Sequence, residues 1–315
     1  MSTSEVDSGS GSLDPPRVEE VSEGIYAYIQ PDGSWYINNT GFLVGSRGVI
    51  SIDSCSTERR TRAYLDAIAR TTDQPVRTLL NTHHHGDHTH GNYLFDGATI
   101  VAHEWCRREM IATGLPANLG VWTDVEWGAL ELAPPFLTYR DEVTVWVDNL
   151  RCELRHVGSP AHTTNDSIVW IPGRSLLFSG DLLFNDCTPF VLMGSVTGAI
   201  DVLQTVLKPL DARTIVPGHG PVGGPGLIDD VLAYLRFVLT TAEEGLAAGL
   251  SPLAAAQAAD LGRFADLLES ERIVGNLHRA YAELNGAAPG APVDLLAAIG
   301  DMITFNGGRP LTCLA

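Results

Sequence analysis

The run His83-His84-His85-Gly86-Asp87-His88 constrains this chain more than any other stretch, because it sets several candidate metal ligands directly after an apolar, strand-like segment, Val76 to Asn81. His83 and His85, two apart, can lean toward one ion. Asp87 and His88, just past the glycine, can reach a second. A surface tract or a tag would need no partners elsewhere, yet partners are present. They are His162 in Gly158-Ser159-Pro160-Ala161-His162-Thr163, Asp181 closing Leu176-Leu177-Phe178-Ser179-Gly180-Asp181, and His219 in Val216-Pro217-Gly218-His219-Gly220. Each follows a strand-like apolar run, which gathers the loops at one rim of a sheet.

Taken in order, these motifs closely resemble those of the metallo-β-lactamase superfamily of metallohydrolases, over roughly residues 20 to 225; motif context is what a bare pattern lacks. The resemblance implies that His83, His85 and His162 hold one zinc, that Asp87, His88 and His219 hold the other, and that Asp181 bridges them. Asp87 and Asp181 then act in catalysis together with a metal-bound hydroxide. Two Zn2+ ions suit imidazole and carboxylate donors, and Mn2+ or Fe2+ would accept the same set. Asp53, at the end of its strand, resembles the carboxylate that orients a ligand imidazole in this superfamily; a helix-capping role competes with that reading. His84 cannot point the same way as both neighbours and is read as lying behind the ligands or facing solvent. His90, His103, His156 and His278 lack motif company and are read as structural.

With 315 residues, 44% hydrophobic and 18% charged, the chain can bury a large core. The expected architecture is α/β: a four-layer αβ/βα sandwich, as the resemblance implies, followed by a C-terminal helical extension. Three segments are expected, a disordered tail over 1–16, a metallo-β-lactamase-like domain over 17–225, and helices over 226–315 packed on that domain. Strands are read at Ile25–Ile29, Thr40–Val44, Val49–Asp53, Thr99–Ala102, Val143–Val147, Cys152–Val157, Ser167–Ile171 and Leu176–Ser179. Helices are read at Thr57–Arg70, Leu227–Leu246, Pro252–Leu261 and Glu269–Leu284 from apolar residues three and four apart. The stretch from Phe305 to Ala315 reads as a docked tail.

A net charge of −18 opposes contact with nucleic acid phosphates or an anionic membrane, and no apolar stretch is long enough to span a bilayer. The polar, acidic start suggests a cytoplasmic protein. Five scattered cysteines suggest neither a disulfide framework nor a thiolate zinc knot. Glu58 to Arg62 and Arg107-Arg108 form two candidate basic patches, for which ordinary solvated helix surface is the simpler reading.

Segments 114–138 and 182–198 break the rhythm of strands and helices. Both carry apolar and aromatic residues placed to wall a pocket beside the metals, with Trp122, Trp127, Phe184, Phe190 and Met193 as candidate lining. Outside the metal motifs, Val21 to Tyr28, Asn81 to His88, Thr188-Pro189-Phe190 with Gly194-Ser195-Val196, and the Asn306-Gly307-Gly308 to Ala315 ending look like the second-ring cyclase/thioesterases of bacterial aromatic polyketide pathways, of the actinorhodin type. That resemblance implies aldol closure of a second ring and hydrolytic release from an acyl carrier protein. A metal-dependent thioesterase or lactonase without cyclase activity is the alternative. Homo-oligomers are compatible with either.

Overall fold

The computed structural model describes residues 13–116 and 120–315. Among the described residues twelve strands and eight α-helices follow in chain order: β1 Arg17–Ser22, β2 Ile25–Ile29, β3 Thr40–Gly45, β4 Gly48–Ile52, α1 Glu58–Thr71, β5 Val76–Leu80, α2 Gly86–Thr89, β6 Thr99–His103, α3 Glu104–Thr113, β7 Leu137–Tyr139, β8 Glu142–Val147, β9 Leu150–His156, β10 Ser167–Ile171, β11 Leu176–Phe178, α4 Val196–Val202, β12 Thr214–Val216, α5 Gly226–Ala247, α6 Pro252–Ala258, α7 Arg272–Leu284 and α8 Leu295–Phe305. Strands β1 to β7 form one sheet in sequence order. A second sheet runs β12-β11-β10-β9-β8.

Side chains that alternate across each strand make the layers. Ile25, Ala27 and Ile29 of β2, with Ile50 and Ile52 of β4, face Leu154, Val169, Ile171 and Phe178 of the second sheet in one buried cluster. The alternate residues Tyr28, Phe42 and Val49 turn outward onto Tyr64, Ala67 and Ile68 of α1. Ile168, Trp170 and Leu177 turn the other way, onto Leu232 and Leu235 of α5 and Ile273 and Leu277 of α7. Helix, sheet, sheet and helix thus stack as an αβ/βα sandwich. Each fully buried Leu, Ile or Phe contributes about 1.5–3 kcal/mol relative to exposure.

Helix α1 starts where the Thr57 hydroxyl accepts from the Arg60 amide, a side-chain cap. Helix α7 starts three residues later than the apolar spacing suggested, because Glu269 sits in the left-handed region at φ 62 and breaks the helix there. Among the expected elements α6 also ends early, at Ala258. Strands β1 and β7 and helices α2, α3, α4 and α8 were not read from the sequence: β1 and β7 are largely exposed or half-buried edge strands without clean alternation, and α2 and α4 are short helices, one inside the motif loop and the other starting in the irregular segment 182–198. Of the expected 1–16 tail, residues 1–12 lie outside the described residues, and 13–16 carry no regular structure before β1. The C-terminal stretch is docked: Leu311 pairs with Trp122 in a parallel bridge. All five cysteines are free and buried. No helix among the described residues is long and apolar enough to cross a membrane.

Candidate metal centre

Four loops converge at the strand ends that the sequence singled out. After β5 the chain runs directly into His83, and α2 begins at Gly86, so that His85, Asp87 and His88 fan out over one turn. His162 stands in the β9–β10 connection, Asp181 follows β11 and His219 follows β12. The donor atoms of His83, His85, His162 and Asp181 all lie within 4.8 Å of one another, and so do those of Asp87, His88, Asp181 and His219. Asp181 is common to both groups.

The contacts within each group are close. His162 Nε2 lies 2.8 Å from His85 Nδ1 and 3.4 Å from Asp181 Oδ2. His219 Nε2 lies 3.2 Å from Asp87 Oδ2 and 3.3 Å from Asp181 Oδ2. The remaining ring nitrogens fix the orientation of the imidazoles. His88 Nδ1 donates to Asp53 Oδ2 at 2.8 Å, His219 Nδ1 to the Gly33 carbonyl at 2.9 Å, His162 Nδ1 to the Phe190 carbonyl, and His83 Nδ1 to Thr82 Oγ1 at 3.1 Å. His85 is turned the other way, and its Nε2 reaches Met193 Sδ at 3.3 Å.

Burial holds His83 and His85 well below the usual imidazole range, in the neutral form whose lone pair can ligate. Burial also opposes ionisation of Asp87 and Asp181, yet the surrounding imidazoles outweigh it and hold both carboxyls well below their ordinary value. His88 and His219 answer in kind: burial lowers them, but Asp181 and the other carboxylates raise them, His219 to about 9.

Two divalent ions fit this donor set. His83 Nε2 is buried without a hydrogen-bond partner, and His88 Nε2 and Asp181 Oδ1, 3.0 Å apart, make no well-formed hydrogen bond either. Buried polar atoms left so, all aimed at one place, are what metal ligation satisfies. The glycine of the last motif is required by the same crowding: a Cβ on Gly218 would stand 1.9 Å from Asp181 Oδ1.

Asp53 does not cap a helix. Its carboxylate accepts from the Thr82 amide and hydroxyl, both at 2.8 Å, as well as from His88. His84 does not face solvent: it is buried, with Nδ1 3.0 Å from Asn165 Nδ2, and burial lowers its pKa to about 4.

A cavity of about 380 Å³ opens onto Asp87, Asp181, His162 and His219. Trp122, Phe184, Phe190 and Met193 line it. Trp127 does not; it packs behind the wall, 5.0 Å from the Tyr36 ring and 5.8 Å from His90. His90, read as structural, lines the cavity as well. Sequence reasoning also missed Trp35, Tyr36, Arg272, Met302 and Leu311 in the lining. Arg272 is fully buried, its guanidinium 4.1 Å from the Trp35 ring centroid and 5.3 Å from that of Phe184, and it pairs with Glu269. The helical spacing around Arg272 and Met302 signals packing, and nothing in it separates packing against a cavity from packing against a core.

The two basic patches are partly consumed inside the molecule. Arg60 donates to Gln30 Oε1 and to the Leu314 carbonyl, and Arg107 to the Pro135 carbonyl. Arg62 and Arg108 pair with Glu58 and Glu109.

The chain belongs to the metallo-β-lactamase superfamily, whose sequence profile matches residues 33–219. It is 25% identical over 226 residues to a metallo-β-lactamase type 2 of Bacteroides fragilis, covering 69% of this chain and 84% of that one. It is 29% identical over 150 residues to a hydroxyacylglutathione hydrolase of Rhodospirillum rubrum, covering 48% and 50% respectively. The solved structure of a metallo-β-lactamase from Pontibacter korlensis superposes with a TM-score of 0.60 at 18% identity, over 70% of this chain and 99% of the other, a likeness of fold. The chain is thus a metallohydrolase of that superfamily with a His/Asp cluster able to bind metal.

Proposed function

We propose that this protein closes the second ring of an aromatic polyketide held as a thioester on an acyl carrier protein, and then releases the product by hydrolysis. The observation that carries the reading is the cavity: about 380 Å³, walled by Trp35, Trp122, Phe184 and Phe190, and lined also by His85, Asp87, His162, Asp181 and His219 of the two donor groups. A small polar substrate would leave such walls unused, whereas a folded poly-ketone would bury its apolar faces on them. Zinc ions held by His83, His85, His162, Asp87, His88, His219 and the shared Asp181 would supply Lewis acidity to stabilise negative charge on a carbonyl oxygen and to acidify water.

The chain's own residues do the rest. In ring closure the carbon between two ketones gives up a proton to solvent, the carbanion adds to a second carbonyl to form one carbon–carbon bond, and the resulting alkoxide takes a proton back from solvent. Asp87 and Asp181, which line the cavity and are held ionised by the surrounding imidazoles, would hold the ions that acidify that carbon and steady charge on the carbonyl it attacks. In release, water adds to the thioester carbonyl and the thiol leaves with a proton, and Asp87 and Asp181 would hold the ions that acidify that water. The aromatic walls exclude bulk water and hold the chain folded between the steps. The five buried cysteines take no part, since burial pushes Cys55 and Cys187 up to about 12.

A thioesterase or lactonase without cyclase activity is the second reading, favoured by the relative named for hydrolysis of hydroxyacylglutathione. Incubating the zinc-loaded protein with a ring-forming polyketide thioester, a lactone and a β-lactam, and following products by mass, separates the two. A cyclised, released product distinct from the spontaneous one supports the proposal. Fast thioester cleavage with an unchanged ring pattern leaves the plain thioesterase.

A further inference from the structure

The matched superfamily region ends at residue 219, yet the cavity does not. Leu295 and Ile299 of α8, Met302 and Leu311 all contribute to its walls. Leu311 is 1% exposed, and the segment around it is built into the wall as a strap. Its amide donates to the Val121 carbonyl at 2.8 Å and its carbonyl accepts from the Thr123 amide at 2.9 Å. Two residues on, the Cys313 amide donates to Thr123 Oγ1 at 2.9 Å, while that hydroxyl donates to the Cys313 carbonyl at 3.1 Å. Arg60, from α1, clamps the Leu314 carbonyl at 2.8 Å.

What the strap braces is the aromatic side of the cavity. Trp122, bridged to Leu311, packs 4.9 Å from the Trp35 ring and 5.2 Å from Tyr36, and Trp35 meets Phe190 edge-on at 5.0 Å. A side chain held by backbone pairing on a wall of rings packed tilted and edge-on has little freedom to yield to a larger ligand. The bulk of residue 311 therefore translates directly into room for substrate.

We propose that the strap over residues 310–314 sets how large an acyl group the cavity admits, with Leu311 as the specificity-determining side chain and Arg60 as its positioning residue. This rests on reading the cavity as the substrate site, and it makes specificity a property of chain outside the superfamily's shared region.

The test compares wild type, Leu311→Ala, Leu311→Trp and Arg60→Met, all zinc-loaded, on a graded series of straight-chain and aryl acyl thioesters. Leu311→Ala should move the kcat/KM optimum to longer acyl groups, by about fourfold for each methylene newly accommodated. Leu311→Trp should move it to shorter ones. Arg60→Met, which lines no part of the cavity, should flatten the profile while metal content stays at the wild-type level. An unchanged profile in both Leu311 variants, with wild-type metal content and melting temperature, overturns the proposal. Should Leu311→Ala fail to fold, opposite shifts are no longer available, and an unchanged Leu311→Trp profile alone overturns it. If wild type cleaves no thioester at all, the thioester reading of the site falls instead. Quenching of tryptophan fluorescence by the matching free acids then decides the strap on its own, through the same opposite shifts in the preferred ligand size.

Discussion

Asp53 Oδ2 accepts a hydrogen bond from His88 Nδ1 at 2.8 Å while both side chains are almost wholly buried, so the carboxylate fixes which ring nitrogen of His88 faces the second donor group. The same oxygen accepts from Thr82, whose hydroxyl oxygen in turn accepts from His83 Nδ1. One acidic residue after β4 thereby orients an imidazole in each group.

Asp53→Ala should weaken metal binding by about 10–100-fold, the usual cost of removing such a support. Competition with a chromophoric chelator reads this directly. Retention of wild-type affinity would show that the packing of His88 alone fixes its ring.

Asp181→Ala should lower occupancy of both groups, since Asp181 is the residue they share. His84→Ala should leave metal content intact, because His84 Nδ1 turns to Asn165 and the residue belongs to neither group. Elemental analysis after zinc addition checks both, and loss of both ions in the His84 variant would overturn the ligand assignment.

Gly218→Ala tests whether the loop backbone holds the shared carboxylate in place. A methyl group 1.9 Å from Asp181 Oδ1 must displace that carboxylate or the loop, so metal affinity should fall although no donor has been removed. An unaltered zinc titration would mean that the loop relaxes without cost.

Glu269 gives a pH signature. Burial, opposed by Arg272, raises its pKa to about 7 in the folded protein, above its ordinary value. An acid held protonated by the fold contributes stability that is complete below its unfolded pKa and is lost as pH rises through about 7. Glu269→Gln should flatten that decline, as read by urea midpoints at acid and neutral pH. A parallel decline in the variant would assign the pH dependence to other groups.

The convergence of the candidate donors was legible because each is a His or Asp just past a strand-like apolar run, and β-period alternation exposed most of the strands that deliver them. The cavity was less legible. Phe184, Phe190 and Met193 stand close behind Asp181 in sequence, whereas Trp35, Arg272 and Leu311 reach it only through tertiary packing. Trp127 carried the same local signal as Trp122, yet Trp122 is drawn in by its bridge to Leu311 and Trp127 is left behind Tyr36. Arg60 looked like surface charge, because nothing local announces that the Leu314 carbonyl will come to rest on it.

Phe190→Ala separates the two steps proposed for the site. The Phe190 ring lines the cavity and meets Trp35 edge-on, whereas its backbone carbonyl is what receives His162 Nδ1. Trimming the ring therefore leaves the hydrogen bond that orients His162 and removes only wall. A short acyl thioester needs no folding, so its hydrolysis should change by no more than a few-fold. A ring-forming poly-ketone has to be held bent while its carbon–carbon bond forms, and small losses of positioning are costly there, so correct cyclisation should fall by about 100-fold. The comparison is made on one enzyme preparation with metal content verified, using product mass and ring pattern for the long substrate and thiol release for the short one. An equal loss in both assays would place Phe190 in support of the donor groups and remove the case for the aromatic wall as the template that folds the substrate.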